Sequence, residues 1–247
     1  MKSDEIKKIV KSGYAKIAKE SKPSCKCSCS LKSNQDTSKS IGYSDEDINN
    51  FSEANLGLGC GNPVAISSIK EGDVVLDLGS GAGFDAFLAA EKVGNTGRVI
   101  GVDMTEEMIT KATIIATKHG YNNVEFKLAD IEKLPMDDNS VDIIISNCVI
   151  NLAPDKSKVF TEAYRVLKSG GRMYISDIVL LEELSEEQKK DENLITGCVA
   201  GAILRNHYIE VVKRAGFSVK ILGENKKISK TQHQGILLES LSLEISK

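Results

Sequence analysis

The sequence predicts an α/β protein whose mostly parallel β-sheet is covered by helices on both faces. Apolar runs of strand length alternate with helical patterns along most of the chain, as expected for successive strand–helix–strand units. A glycine-rich turn joins the first strand to the first helix of this pattern, where such sheets bind ligands. The connection before the last strand is too short for a helical crossover, which predicts an antiparallel strand. With 247 residues, 41% of them hydrophobic, the chain has enough apolar surface for one domain.

Seven strands follow from this pattern. Five are predicted in the order DVVLDLG, RVIGVDM, VEFKLAD, VDIIISNC and RMYISDIVL, and SVKILGENK and GILLESLSLEI complete the sheet. Helices are predicted near 84–93, 105–119 and 155–168, between the strands. After the fifth strand, residues 182–216 are predicted to be mostly helical, with the stretch GCVAGA as an interruption.

The amino-terminal part has a different character. Residues 3–20 place apolar side chains at helical spacing among lysines, which predicts an amphipathic helix. Residues 21–42 are polar and lack periodicity, so we expect a mobile linker, which contains Cys25, Cys27 and Cys29. The predicted organisation is therefore an amino-terminal helix and linker over 1–42, and one domain over 43–247 with an insertion at about 180–216.

Charge and composition limit the classes of function. The chain has 32 basic and 35 acidic residues, a net charge of −3, which gives no reason to expect nucleic acid or a membrane as partner. No apolar run reaches about 18 residues and the first residues lack the apolar core of a signal peptide, so a cytoplasmic protein is expected. Cysteines in that compartment indicate metal binding or chemistry more often than structural disulfides.

The glycine turn lies in the stretch VVLDLGSGAGFD. A nicotinamide-binding fingerprint requires a glycine or alanine three residues after its second glycine, and that position is Phe84. Instead the pattern is D-x-G-x-G-x-G, which resembles motif I of the class I S-adenosylmethionine-dependent methyltransferases. The resemblance implies their Rossmann-like fold and a cofactor loop, whose residues are Asp77, Gly79, Ser80, Gly81 and Gly83.

Other candidate cofactor residues stand at the ends of the next strands. Asp103, followed by Met104, ends the second strand, where a carboxylate accepts hydrogen bonds from both ribose hydroxyls. Asp130 and Ile131 end the third strand and resemble the family's adenine site. At the end of the fourth strand, Asn147 is expected beside the reactive sulfonium. Each residue alone is more often a strand-end cap or a solvated acid, but together, at successive strand ends, they favour the cofactor site.

The sequence offers no obvious base to activate an acceptor, because solvated or structural roles fit its three histidines. Cysteines occupy notable positions instead: Cys60 lies in a glycine turn before the first strand, Cys148 directly follows Asn147, and Cys198 lies in GCVAGA. Each alone fits a small buried residue. Their separations exclude a local C-x-x-C zinc knuckle.

The stretches NLGLGCGNP, SNCVINLAPDK and GCVAGA together resemble the three cysteine motifs of the arsenite methyltransferases, over about residues 43–217. The resemblance implies that Cys60, Cys148 and Cys198 hold trivalent arsenic as substrate, since this soft centre prefers thiolates. The arsenic lone pair would then attack the sulfonium methyl in line, with positioning as the main source of catalysis. S-adenosylhomocysteine and methylated arsenic are the implied products, methylarsenite is a further substrate, and the role is arsenic detoxification.

The resemblance also implies that protein thiols reduce the product again through a disulfide, which requires a fourth thiol that reaches Cys60. Cys29 is the candidate nearest in sequence, and a thioredoxin or glutathione would regenerate the thiols. Two rival functions stay open on the sequence. One is a methyltransferase acting on carbon or oxygen of another small molecule; the other is a non-catalytic, thiol-based metalloid-binding protein.

Overall fold

The computed structural model describes residues 1–19, 34–228 and 235–247, which contain a seven-stranded sheet. Its strands are β1 (Val74–Leu78), β2 (Arg98–Asp103), β3 (Val124–Leu128), β4 (Val141–Asn147), β5 (Leu167–Leu180), β6 (Ser218–Asn225) and β7 (Leu238–Ser246). Their spatial order is β3-β2-β1-β4-β5-β7-β6. The first five strands pair in parallel, whereas β7 is antiparallel to both β5 and β6. The predicted fold class, with its antiparallel last strand, is confirmed.

Helices surround the sheet. They are α1 (Ser3–Lys19), α2 (Asn34–Ser40), α3 (Asp45–Asn50), α4 (Pro63–Ile66), α5 (Phe84–Val93), α6 (Glu106–His119), α7 (Lys156–Val166), α8 (Glu192–Thr196) and α9 (Arg205–Arg214). The predicted amino-terminal helix and the three helices between the strands are confirmed by α1, α5, α6 and α7. None of the helices in the described ranges combines the length and apolar character needed to cross a bilayer.

Both faces of the sheet are buried, as expected when helices cover a parallel sheet on two sides. In β1, Leu76 and Leu78 belong to the hydrophobic cluster shared with α7 and α9, whereas Val75 belongs to the cluster shared with α5. Successive side chains of a strand point to opposite faces, which explains this division. The chain leaves the sheet edge after β3 and returns on the other side of β1 as β4. This reversal opens a crevice at the carboxyl ends of β1 and β4, where ligands bind in such sheets.

The segment expected to be an irregular linker contains a helix in its last part. Residues 34–40 form α2, although the stretch NQDTSKS has no apolar residue to give a periodic signal. A tertiary contact explains the helix: Ser38 is buried, and its Oγ donates to Asn55 Oδ1 at 2.9 Å. The cysteine cluster 25–29 lies outside the described residues.

The insertion after β5 is less helical than the sequence pattern suggested. Between β5 and β6 the structure has a short 3₁₀ turn, α8 and α9, and residues 197–204 run irregularly between the two helices. Glycines at 197 and 201 explain the break, since glycine lowers helix stability. The irregular stretch carries Cys198 toward the carboxyl end of β4, where the thiol of Cys198 donates to the Cys148 carbonyl at 2.8 Å.

Candidate active site

The glycine loop between β1 and α5 leaves its middle residue open to a ligand. Gly79, Gly81 and Gly83 have φ angles of 67°, 52° and 94°, a region that side chains with a Cβ rarely adopt. A Cβ added at Gly79 would collide with the side chain of Val149, but one added at Gly81 would meet no atom within 4 Å. The backbone at Gly81 therefore faces open space at the ligand-binding edge of the sheet.

Asp103 ties this loop to the end of β2. Its Oδ2 accepts a hydrogen bond from Gly81 N at 3.0 Å, and its Oδ1 accepts one from Thr105 N at 2.8 Å. Burial raises the pKa of Asp103, and these backbone donors oppose the rise. The arrangement fits the predicted role with ribose hydroxyls, which stays a prediction.

Three carboxyl groups are buried together at this edge: those of Asp77, Asp85 and Asp103. Oδ2 of Asp77 has no hydrogen-bond partner among the described residues. Burial raises the pKa of Asp77 well above its usual range, and repulsion from Asp85 and Asp103 adds to the rise. A cation placed here would offset both the burial and the repulsion that raise the pKa of Asp77. These residues therefore fit a positively charged cofactor such as S-adenosylmethionine.

The predicted adenine site lies at the end of β3 and has a partner that sequence reasoning missed. Ile131 is buried, and Asp130 Oδ1 accepts from Glu132 N at 2.9 Å. Asp130 Oδ2 forms an ion pair with Lys7 Nζ of α1 at 2.6 Å, and Lys7 also pairs with Glu132 at 2.6 Å. Helix α1 is therefore fixed to the edge of the sheet where the adenine is expected.

Asn147 binds protein groups through both ends of its amide. Its Nδ2 donates to Tyr43 Oη at 2.9 Å, Gly61 O at 2.9 Å and Asp85 Oδ2 at 3.0 Å. Its Oδ1 accepts from Cys60 N at 3.1 Å. Asn147 therefore holds the Cys60 turn in place, and its predicted position beside the sulfonium stays a prediction.

Asp85 and Tyr43 are site residues that the sequence reasoning missed. Tyr43 Oη donates to Asp85 Oδ1 at 2.6 Å, and both residues contact Asn147. Burial raises the pKa of Asp85 to about 6, although the bonds from Tyr43 and Asn147 oppose the rise. The sequence signal was the acid two residues after the last glycine of the motif, in GAGFD. Nothing in the sequence marks Tyr43.

This buried carboxyl predicts a pH-dependent stability. The pKa of Asp85 is raised from 3.8 to about 6, so its contribution to the free energy of unfolding is fully present below the lower value. That contribution is lost as pH rises through about 6, because the folded protein must then ionise a buried group. We expect Asp85→Asn to flatten the decline in stability between about pH 4 and about pH 7, as measured by urea unfolding.

The matched control for this experiment is Asp137→Asn, which changes an exposed acid. It should leave the pH dependence of the unfolding free energy as it is in the unsubstituted chain. Equal slopes for all three proteins would show that Asp85 is not the titrating group.

The three predicted cysteines converge at the carboxyl end of β4. Sγ of Cys60, Sγ of Cys148 and a carboxylate oxygen of Asp177 all lie within 4.8 Å of one another. Sγ of Cys198 donates to the carbonyl of Cys148 at 2.8 Å. All three thiols are free, and Cys60 and Cys198 are buried. Residues that are 88 and 50 positions apart in the chain thus meet at one site.

Two of these cysteines sit in strained backbone positions. Cys148 and Cys198 have φ angles of 58° and 63°, in the left-handed region that residues other than glycine seldom occupy. Such positions cost about 1–3 kcal/mol and cluster at functional sites. Cys148 directly follows β4, and Cys198 lies two residues after α8.

The protein environment favours neutral thiols. Burial raises the pKa of Cys60. The pKa of Cys198 is raised well above its usual range by its contact with Cys148 and by burial. For Cys148, contact with Cys198 favours the thiolate, but the contact with Cys60 together with burial outweighs it and the pKa is raised. Three neighbouring thiolates would repel one another, so this group suits a centre that neutralises all three on binding.

Asp177, which sequence reasoning missed, lies beside the thiols near the end of β5. Its Oδ1 accepts from Asn151 Nδ2 and from Ile178 N, each at 2.9 Å. Its Oδ2 accepts from Tyr208 Oη at 3.1 Å. Burial raises the pKa of Asp177 to about 7, although these donors oppose the rise. Little in the sequence marks Asp177, since a single acid in an apolar strand has many explanations.

Helix α1 covers the site from the cofactor edge to the cysteines. Tyr14 Oη lies 3.6 Å from Cys198 Sγ and donates to Thr196 O at 3.3 Å. On the same helix, Val10 is buried in an apolar cluster with Cys198, against which Met104 packs. Together with the Lys7 ion pairs, these contacts bring the cofactor edge and the thiol group under one helix.

Comparisons with known proteins place the chain among methyltransferases. Residues 69–216 match a family model described as a methyltransferase domain, which spans β1 to α9. An arsenite methyltransferase of Halobacterium salinarum is 45% identical over 226 residues, which cover 87% of this chain and 58% of that protein. An arsenite methyltransferase of Homo sapiens is 40% identical over 168 residues, which cover 64% of this chain and 44% of that protein. The chain thus spans about half the length of these curated relatives.

A solved structure extends the similarity to three dimensions. The crystal structure of an arsenic (III) S-adenosylmethionine methyltransferase from Chlamydomonas reinhardtii aligns with a TM-score of 0.67 at 33% sequence identity. The alignment covers 85% of this chain and 73% of that chain.

Proposed function

Because this chain belongs to the arsenite S-adenosylmethionine methyltransferase family, within the class I methyltransferases, we propose that it transfers a methyl group from S-adenosylmethionine to trivalent arsenic. The observation that carries the proposal is the meeting of Cys60, Cys148 and Cys198 at the carboxyl end of β4, next to the glycine loop. Arsenite is the first substrate and methylarsenite a further one. The proposed site requires free thiols, so we expect the protein to act in a reducing compartment such as the cytoplasm.

The proposed cofactor residues are those at the strand ends. Asp103 accepts hydrogen bonds from the ribose hydroxyls, and Asp130 and Ile131 bind the adenine. The open backbone at Gly81 lets the cofactor approach the loop. Asp77, with its unpartnered oxygen, faces a positively charged group. When bound, the cofactor supplies an electrophilic methyl group on a sulfonium. Met104 and Val10 exclude water from one side of the site.

The proposed arsenic site consists of the three cysteines. Arsenite exchanges its hydroxide ligands for thiolates, and each thiol proton leaves with a hydroxide as water, so a neutral centre replaces three neutral thiols. This balance explains how a buried site without a strong base can hold three thiolates. Asn147 fixes Cys60 through the bond from Cys60 N to Asn147 Oδ1. Positioning of the arsenic lone pair is then the main catalytic contribution of the protein.

Tyr14 is proposed to orient Cys198 through its hydroxyl. Tyr14→Phe removes the 3.6 Å contact with Cys198 Sγ and keeps the ring in its place. A hydrogen bond of this kind contributes about 0.5–1.5 kcal/mol, so we expect arsenite affinity to fall about two- to tenfold. Titration with arsenite measures the change. Tyr164→Phe is the control, since that ring packs against Phe217 and should leave affinity unaltered.

The reduction step is proposed to use a disulfide between Cys29 and Cys60, with a thioredoxin or glutathione as the reductant. Cys29 lies outside the described residues, together with its alternatives Cys25 and Cys27. Oxidation of two thiols to a disulfide supplies the two electrons that return pentavalent product to the trivalent state. Peptide mapping without reduction after one turnover should recover a Cys29–Cys60 pair. Recovery of Cys60 only as a free thiol, or only paired with Cys148 or Cys198, would contradict it.

One assay separates the proposed function from its rivals. The chain is incubated with arsenite, S-adenosylmethionine and a thiol reductant, and arsenic species are separated by chromatography with mass detection. Methylated arsenic supports the proposal. Arsenite binding without product would favour a metalloid-binding protein, whereas neither binding nor product would favour a methyltransferase for another small molecule.

A further inference from the structure

The arsenic-binding thiols share their site with a carboxylate that the proposed reaction does not use. Sγ of Cys60, Sγ of Cys148 and an oxygen of Asp177 lie within 4.8 Å of one another. Cys60 Sγ donates to the backbone oxygen of Ser176, the residue before Asp177. Two thiols and one carboxylate therefore face a common point, and Cys198 approaches Cys148 from a different element.

The Asp177 carboxylate keeps one lone pair with which it can bind a metal ion. An ionised carboxylate accepts about four hydrogen bonds. Three of these positions are filled, by Asn151 and Ile178 on Oδ1 and by Tyr208 on Oδ2. The free position is therefore on Oδ2. The three donors also fix the carboxylate in orientation, as partners of metal-bound carboxylates do.

We infer that Cys60, Cys148 and Asp177 form a second, inhibitory site for a divalent cation of borderline softness, with Zn²⁺ as the ion. Two thiolates and a carboxylate are a normal ligand set for such ions, and a water molecule completes four-coordinate geometry. In tetrahedral zinc sites with Zn–S bonds of about 2.3 Å, two sulfur atoms lie about 3.8 Å apart. Ligand atoms already within 4.8 Å reach this arrangement by small rotations of the side chains.

The two ions select different third ligands. Arsenic(III) is soft and takes a third thiolate, which Cys198 provides. A zinc ion, which is less soft, also takes carboxylate oxygens, and an oxygen of Asp177 lies within 4.8 Å of both other ligand atoms. Zinc with two thiolates and one carboxylate leaves one negative charge, which the donors Asn151 and Tyr208 stabilise. Cys60 and Cys148 are common to both sites, so the cation and arsenite exclude each other; this competition rests on the proposed function.

The test is a pair of variants with opposite expected effects. Asp177→Asn keeps the size of the side chain and should lower Zn²⁺ affinity at least about tenfold, while arsenite affinity is retained. Cys198→Ser should retain Zn²⁺ affinity and lose arsenite affinity. Zn²⁺ binding is measured by competition with a chromophoric chelator, and arsenite binding by titration. All proteins carry serine at positions 25, 27 and 29, so that those thiols bind neither ion.

X-ray absorption at the zinc edge of the unsubstituted site gives a second readout that does not depend on the folding of Asp177→Asn. Two sulfur and two oxygen neighbours are expected. Three sulfur neighbours, or a loss of Zn²⁺ affinity in Cys198→Ser but not in Asp177→Asn, would overturn the inference. If zinc binds as expected and the chain that keeps Cys25, Cys27 and Cys29 methylates no arsenic, the proposed function fails and the zinc site stands. Methylation that proceeds at full rate with zinc bound would show that zinc and arsenite do not compete, and would overturn the inhibitory role of the zinc site.

Discussion

Replacement of Cys148 or Cys198 by serine is expected to abolish the first methylation of arsenite while S-adenosylmethionine binding is retained. Each variant leaves two thiols for a centre that requires three, and a serine oxygen is a poor ligand for soft arsenic. Loss of a group that hydrogen-bonds to a metal ligand lowers metal affinity or activity about 10–100-fold. Loss of a ligand itself should therefore reduce turnover by more than about 100-fold. Initial rates with arsenite and equilibrium binding of the cofactor measure the two effects. Full turnover in either variant would remove that cysteine from the arsenic site.

Cys60→Ser gives an informative contrast. A monomethylated arsenical has one carbon ligand and needs only two protein thiols, which Cys148 and Cys198 provide. We expect this variant to lose activity on arsenite and to keep activity on methylarsenite under strong external reduction. A matched stability measurement is needed for each variant, since Cys60 and Cys198 are buried.

Gly81→Ala is expected to lower S-adenosylmethionine affinity, in addition to the backbone strain that an alanine meets at a φ of 52°. The added methyl group meets no protein atom within 4 Å, so it extends into the space assigned to the cofactor. Overpacking of this kind costs about 1–3 kcal/mol, which corresponds to a loss of affinity of about tenfold or more. Calorimetric titration with the cofactor measures the loss.

Two other glycines provide controls for this prediction. Gly120 caps α6 with a φ of 74° and also has open space at its Cβ position, so Gly120→Ala brings similar backbone strain away from the site. It should leave cofactor affinity unchanged. Gly79→Ala places its methyl group against the side chain of Val149 and should destabilise the fold itself. Equal cofactor affinity in Gly81→Ala and Gly120→Ala would contradict the assigned cofactor position.

The sheet could be predicted because its signal is local. Strand-length apolar runs, helical periodicity and the glycine turn each occupy about ten neighbouring residues, and parallel pairing then brings Asp103, Asp130 and Asn147 to one edge. Helix α2 had no such signal. Its stability depends on contacts such as the bond between Ser38 and Asn55, which no local pattern encodes.

The cysteine site could be predicted only from the family resemblance, because the spacing of the cysteines along the chain does not show that they meet. Residues 60, 148 and 198 are far apart in the chain, and only the fold brings them together. Asp177 and Tyr14 were missed because their contacts with the thiols are tertiary. Tyr14 reaches Cys198 over 184 positions, and Asp177 approaches Cys60 and Cys148 from a different strand. Neither the length of a strand nor the period of a helix tells which polar side chain will lie beside a cysteine.

A single turnover tests the central claim most directly. The reduced chain is loaded with less than one equivalent of arsenite, mixed with S-adenosylmethionine labelled in its methyl group, and stopped before a second cycle. The account predicts labelled methylarsenic and S-adenosylhomocysteine in equal amounts, both absent without arsenite and both absent in Cys148→Ser. Label that stays in S-adenosylmethionine although arsenite is bound, or that leaves it at the same rate without arsenite, would contradict the account.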